Sequence, residues 1–224
     1  MNKGRLIVLE GLDGCGKSTQ LSLLAEHFAR SGTYYRSVSF PNYDSHSGMV
    51  ISDYLAGKIP CDGRNGAYAA SSFYASDRYI SFCTDWSKDY ENGAVILCGR
   101  YTTSNAVYQM TKLPAQEREE FLRWLSDYEY GLLGLPEPDR VLFLDMPAEV
   151  SEGLLSVRYG GEEQKKDIHE RSTDFQRSCR ESALFAAQRQ GWQVISCAEN
   201  GAALSISEIH RRILAAIGED VSNV

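Results

Sequence analysis

Residues 5–30 read RLIVLEGLDGCGKSTQLSLLAEHFAR, and the order of residue types in this stretch decides the fold. The apolar run from Leu6 to Leu9 has the length and the β-favouring composition of a buried strand. Lys17 to Arg30 carries Leu21, Leu24 and Phe28 on one face of an amphipathic helix. Between the two, GLDGCGKST fits G-x-x-x-x-G-K-[ST] in the strand-to-helix context that the motif requires. Gly11, Gly14 and Gly16 permit backbone conformations closed to residues with a Cβ, so successive amides can turn inward onto phosphate oxygens. Lys17 adds a charge for the β and γ phosphates, Ser18 offers a hydroxyl to Mg²⁺, and Thr19 follows in the first helical turn. The helix N-terminus adds its own partial positive charge. Cys15 reads as a small residue fitting a tight turn. The expected ligand is ATP or GTP.

The same alternation continues along the chain. Short apolar runs recur at Tyr35 to Phe40, Val95 to Cys98, Val141 to Asp145 and Val194 to Cys197, which makes five strands in all. Segments of helical period lie between or after them: Ala67 to Tyr90, Ala115 to Tyr128, Ser172 to Arg189 and Ile206 to Ile217. Strand alternating with helix predicts a three-layer α/β/α fold around a five-stranded parallel sheet. There is no internal repeat or dividing linker, so residues 1–224 are read as one domain. RYGGEEQKK, beginning at Arg158, sets two glycines among charges and reads as a mobile loop, with a lid expected over about residues 158–170.

The chain has 224 residues, of which 43% are hydrophobic, enough for a substantial core. Its formal net charge of −7 argues against binding nucleic acid or anionic membrane by bulk charge, so a polyanion must be held by a local basic site. The N-terminal MNKGRLIVLEGLDG has an apolar stretch of only four residues, and neither a signal peptide nor a membrane span is expected. The six cysteines, at 15, 61, 83, 98, 179 and 197, form no C-x-x-C pair and suit a reduced, cytoplasmic chain.

A phosphate loop does not say where the γ-phosphoryl group goes. The guanine-reading N-K-x-D tetrapeptide is absent, and motor or transporter ATPases generally need longer chains. A compact chain with a basic loop late in the sequence points to a small-molecule kinase. Five further segments then matter: FPNYDSHSG at 40–48, FYASDRY at 73–79, GRYTTSNAVYQ at 99–109, GLPEPDRVLFLDMP at 134–147 and DIHERS at 167–172. With LEGLDGCGKSTQ at 9–20, they resemble thymidylate kinase in order and spacing over nearly the whole chain.

The resemblance implies transfer of the γ-phosphate of ATP to thymidine 5′-monophosphate (dTMP), with Mg²⁺ required, in the synthesis of dTTP. Tyr74 and Arg78, four apart on a helix, share a face: an aromatic plane to stack on a pyrimidine and a guanidinium to donate to a base carbonyl. The family often has Phe at Arg minus four, and Phe73 stands beside Tyr74, so the sequence leaves open which ring stacks. By resemblance Arg100 contacts the acceptor phosphate, Ser104 and Asn105 make polar contacts near the base, and Tyr108 packs where a 2′-hydroxyl would clash. Phe40 and Pro41 wall the acceptor, while Asp13 and Glu170 lie near the acceptor and the metal. The lid is expected to supply the catalytic cation, Arg158 first, then Lys165 or Lys166. A homodimer is implied on the same basis.

One departure stands out. The family usually has Asp immediately before the Arg of the R-Y motif, and here that position is Gly99. Asp145 ends a different strand and is no clear substitute. The acceptor, a phosphate monoester with a second pKa of about 6, is mostly a dianion near neutral pH, so no general base is needed. Two alternatives stay open: a kinase for another deoxynucleotide or a nucleoside, and a catalytically weak nucleotide-binding paralogue.

Overall fold

The computed structural model describes residues 3–159 and 173–221, the side chains of 154–159 and 173 excepted. Its centre is a parallel sheet of five strands, β1 (Arg5–Gly11), β2 (Tyr35–Ser39), β3 (Val95–Gly99), β4 (Arg140–Asp145) and β5 (Gln193–Ser196), in the order β2-β3-β1-β4-β5. All five strands expected from the apolar runs are present. A two-stranded hairpin, β6 (Ala198–Glu199) with β7 (Ala202–Ala203), was not foreseen.

β1 is apolar on both faces because helices cover both faces. Ile7 and Leu9 join Leu24 and Phe28 of α1 (Lys17–Arg30) and Ile213 and Leu214 of α9 (Ile206–Ile217) in one core cluster. Leu6 and Val8 face the other way, toward Trp86, Tyr90 and Tyr101. On that second side also pack α3 (Gly63–Ser81), α5 (Thr102–Tyr108), α6 (Arg118–Ser126) and α8 (Thr173–Gln190), where Phe121, Phe143, Cys179 and Ala183 meet. Burying each Leu or Phe side chain contributes about 1.5–3 kcal/mol, so the two layers hold the sheet from both faces.

The helices α1 and α9 match their expected bounds, whereas the segment from Ala67 to Tyr90 is not one helix. A π-helical stretch, Phe82–Trp86, separates α3 from the short α4 (Ser87–Glu91). Three helices escape the periodicity: α2 (His46–Leu55), α5 and α7 (Ala148–Tyr159). Since α7 runs to Tyr159, residues 158 and 159 belong to a helix rather than to the expected loop. The side chain of Arg158 and all of residues 160–172, which include Lys165, Lys166 and Glu170, lie outside the described residues.

In a sheet whose strands are all parallel, every carboxyl end lies on the same edge. Gly11, Phe40, Arg100, Met146 and Cys197, each at or just beyond the end of a strand, are therefore brought to one rim. The strand order reverses at β1, where the crevice of an open α/β sheet forms.

Candidate active site

At that crevice β1 passes into α1 through the glycine-rich loop. Gly16 is the N-cap of α1 at φ 86°, a left-handed conformation that a side chain would strain. Gly11 is needed for closeness instead, since a Cβ there would come within 2.6 Å of Cys15 Sγ and 3.2 Å of Leu144. Cys15 is buried, as its reading as a small packing residue requires. Lys17 Nζ donates to the carbonyl of Gly11 at 2.9 Å, so the ammonium is folded back over the loop. Gly14, Cys15, Gly16, Lys17, Ser18 and Thr19 line a cavity of about 450 Å³ that extends to Ser39, Gly99, Arg100, Met146 and Leu204.

A second, smaller cavity of about 140 Å³ opens beside it. Asp13, Phe40, Pro41, Tyr74, Arg78, Arg100, Ser104, Asn105 and Tyr108 all line it, together with Tyr43, Leu55 and Gln109. Every expected acceptor residue except Glu170 is thus brought to one place, from the segments that follow β1, β2 and β3 and from α3 and α5. Of the two candidate rings Tyr74 lines the cavity, set edge-on to Tyr54 at 6.3 Å, while Phe73 packs against the neighbouring cluster of Tyr54, Cys61 and Ala70. Phe40 and Pro41 are joined by a cis peptide bond.

The two cavities share Asp13 and Arg100. Arg100 Nη2 donates to Asp13 Oδ1, and the guanidinium lies 4.9 Å over the ring of Tyr108. Tyr108 Oη reaches Asp13 Oδ2 at 3.5 Å. Burial raises the Tyr108 phenol well above its ordinary pKa, so it stands here as a neutral hydroxyl. Burial alone would lower the pKa of Arg100, but Tyr108, Asp13 and Glu10 outweigh it and hold the guanidinium charged.

The backbone of Arg100 sits at φ 64°, the left-handed region, which costs a non-glycine residue of order 1 kcal/mol or more. The surroundings impose it. Arg100 N donates to Leu9 O at 3.3 Å, and the next amide, Tyr101 N, donates to Glu10 Oε1 at 3.1 Å. Glu10 continues the face of Leu6 and Val8, and is fully buried. Its carboxylate also accepts from Thr103 Oγ1 at 2.7 Å and from Ser104 Oγ at 2.8 and 3.0 Å. The hydroxyl of Ser104, expected near a base, is therefore turned toward Glu10.

Arg78 is not a solvated cation. It is buried, and its Nε and Nη2 each donate to Glu129 at 2.6 Å. Burial opposes its charge and Glu129 more than offsets this, raising the Arg78 pKa above its ordinary value. The preceding residue, Asp77, faces the other way and accepts from Asn42 N at 2.9 Å, Ser45 Oγ at 3.1 Å and Ser47 Oγ at 2.6 Å, pinning the segment that follows Pro41. Sequence reasoning missed Glu10, Asp77 and Glu129. Glu10 and Asp77 lie within the motifs at 9–20 and 73–79, whereas for Glu129 the signal was an acid interrupting an apolar face.

Gly99 is buried at the end of β3, where a Cβ would meet Leu21 Cδ1 at 2.6 Å and Ser39 Oγ at 3.4 Å. A leucine methyl thus fills the place of the family's Asp. Asp145 does not stand in for it, being held by Arg180 Nε at 2.6 Å and Nη2 at 2.8 Å. No group of three or more His, Cys, Asp or Glu side chains suited to a metal occurs among the described residues. None of their helices is long and apolar enough to cross a membrane.

The thymidylate kinase family model matches residues 9–213. The chain belongs to the thymidylate kinase family. Thymidylate kinase of Mycobacterium tuberculosis is 30% identical over 196 residues, covering 84% of this chain and 87% of that one. A probable thymidylate kinase of Pyrococcus abyssi is 28% identical over 221 residues, 98% of each chain. The solved thymidylate kinase of Candida albicans superimposes with a TM-score of 0.71 at 21% identity, over 96% of this chain and 92% of that one, a match of fold. Of the motifs quoted from the sequence, those at 9–20, 40–48, 73–79 and 99–109 contribute residues to the two cavities, 134–147 contributes Met146, and DIHERS lies outside the described residues.

Proposed function

We propose that this chain is a nucleoside monophosphate kinase that transfers the γ-phosphoryl group of ATP to the 5′-phosphate of dTMP, giving ADP and thymidine diphosphate for dTTP synthesis. One observation carries the reading. In a member of this family, a triphosphate cradle and a cavity lined by aromatic and polar groups meet at a single ion pair, Asp13 with Arg100.

The amides of residues 14–19 and the Lys17 ammonium hold the β and γ phosphates from one side. From the other, Arg100, aimed by Asp13 and Tyr108, takes the acceptor phosphate, so that two anions are held in line against their repulsion. Tyr74 stacks on the pyrimidine, Phe40 and Pro41 form a wall beside it, and Tyr108 excludes a 2′-hydroxyl. The acceptor dianion attacks unaided, which agrees with two cavities lined by no histidine among the described residues. The hard oxygen donors Ser18 and Asp13 fit magnesium and would hold it, with Glu170 a further candidate. When bound, the ion neutralises charge on the transferring phosphoryl group. Arg158, Lys165 and Lys166 remain the proposed lid cations. A single domain, a homodimer and a cytoplasmic setting complete the proposal. The first rests on the lack of an internal repeat or dividing linker and the second on family resemblance, and the six free thiols support the third.

The test is a coupled assay of ADP release with Mg²⁺, ATP and a panel of dTMP, dUMP, dCMP, dGMP and thymidine. Preference for dTMP is expected, with turnover abolished in Lys17→Ala and Arg100→Ala. Preference for thymidine would overturn the monophosphate reading. A second reading, a nucleotide-binding protein of weak turnover, is favoured by Gly99, and tight binding of ATP and dTMP without product would select it.

A further inference from the structure

Beneath the smaller cavity lies one carboxylate that no motif announced. Glu129 sits in the π-helical turn Asp127–Leu132 that follows α6, and is fully buried. Its Oε2 accepts from Arg78 Nε at 2.6 Å and from Thr102 Oγ1 at 2.8 Å. Its Oε1 accepts from Arg78 Nη2 at 2.6 Å and from Asn105 Nδ2 at 3.3 Å. Three side chains from two helices thus converge on a single acid, and two of them, Arg78 and Asn105, line the cavity.

The consequence is a fixed polarity. Asn105 Nδ2 faces two acceptors, Glu129 Oε1 and the Ser71 carbonyl at 3.4 Å. Rotating the amide by half a turn would set its oxygen against both, so the side chain keeps Oδ1 on the opposite side as an acceptor. For Arg78, the fork of Nε and Nη2 is engaged by Glu129, and Nη1 has no protein partner among the described residues. One donor and one acceptor are therefore left for a ligand. A pyrimidine with a carbonyl at C4 and a proton on N3 presents the complementary pair. Cytosine, with an amino group at C4 and a bare N3, presents the reverse.

We infer that Glu129 is a positioning residue for acceptor choice: by fixing the orientations of Arg78 and Asn105 it makes the cavity accept a 4-oxo pyrimidine nucleotide and reject a 4-amino one. The inference rests on the acceptor reading proposed above and adds to it the group that sets the selectivity.

The experiment measures kcat and KM for dTMP, dCMP and ATP in the wild type and in Glu129→Gln, with thermal melting alongside. An amide at 129 must turn an N–H toward the donors of Arg78 or Asn105, which frees Asn105 to turn over. The ratio of kcat/KM for dTMP to that for dCMP is expected to fall by about tenfold or more, since one misdirected base contact has that scale. The change should appear in the acceptor KM and not in the KM for ATP, a split that general loosening of the fold would not give. Glu129→Asp keeps the charge but withdraws it by one methylene, and is expected to lower the same ratio. It decides the matter should the Gln variant fail to fold. A folded variant with an unaltered ratio overturns the inference, and a wild type that makes no thymidine diphosphate overturns the acceptor reading instead.

Discussion

Replacing Glu10 by Ala removes the acceptor of Tyr101 N, Thr103 Oγ1 and Ser104 Oγ in one step. Ser104 is half-buried and can turn toward the cavity, but the Tyr101 amide and the buried Thr103 hydroxyl each donate to Glu10 and would be left without that acceptor. Each orphaned donor costs about 1–3 kcal/mol, so a total near 4 kcal/mol is expected before any movement of Arg100. In a chain of 224 residues each kcal/mol lowers Tm by about 2–4 °C, which places the Ala variant about 8–16 °C below wild type. Glu10→Gln retains the volume and one carbonyl acceptor, and loses only about 1–2 kcal/mol. Calorimetric melting of the three proteins, followed by turnover of the folded fraction, checks the order. Because Glu10 fixes the amide next to Arg100, turnover should fall along with stability. An Ala variant melting within about 3 °C of wild type, or melting together with Gln, would refute the argument that a buried acid holds Arg100 in its left-handed conformation.

Gly99→Asp places a carboxylate at the rim of the cavity lined by the glycine-rich loop and displaces Leu21, at a cost of about 1–3 kcal/mol from overpacking. In a Leu21→Ala background, which makes room, the added acid should shift the magnesium dependence of turnover to lower concentration; no shift would mean that the family's Asp has no equivalent role here. Of the six free thiols only Cys83 is exposed, and burial pushes Cys197 up to about 12, so a thiol reagent near neutral pH should label one cysteine in the native chain and six after denaturation. Arg211 and Arg212 lower Glu208 from its ordinary 4.5 to about 2. Since the folded pKa is the depressed one, its contribution is present above pH 4.5 and is lost as the pH falls toward about 2, a loss that carboxyl NMR titration would follow and that Glu208→Gln would remove.

The sequence made the fold legible where one pattern dominates. α1 and α9 have apolar stripes against a polar face, and Ser205 caps α9 by accepting from Glu208 N, so their ends could be read. α5 could not, because six of its seven residues are buried and no polar face alternates with an apolar one. α2 and α7 are short and mix polar with apolar residues, and the π-helical stretch at Phe82–Trp86 breaks a periodicity that looked continuous. The cavities were legible because their residues fall in compact motifs. Glu10 and Glu129 were not, since an acid reads as solvated until its donors are known, and those stand more than 90 positions away for Glu10 and 51 for the Arg78 pair.

That the two cavities meet, among the described residues, only at Asp13 and Arg100 bears on how such a chain can change over generations. On the proposed reading, residues around the smaller cavity can drift toward a new acceptor while the glycine-rich end continues to handle the same donor, because Asp13 and Arg100 alone among the described residues line both. A laboratory library restricted to Phe40, Tyr74 and Asn105 would explore acceptor range with the phosphate chemistry left in place, whereas one that reached the junction would trade both away together.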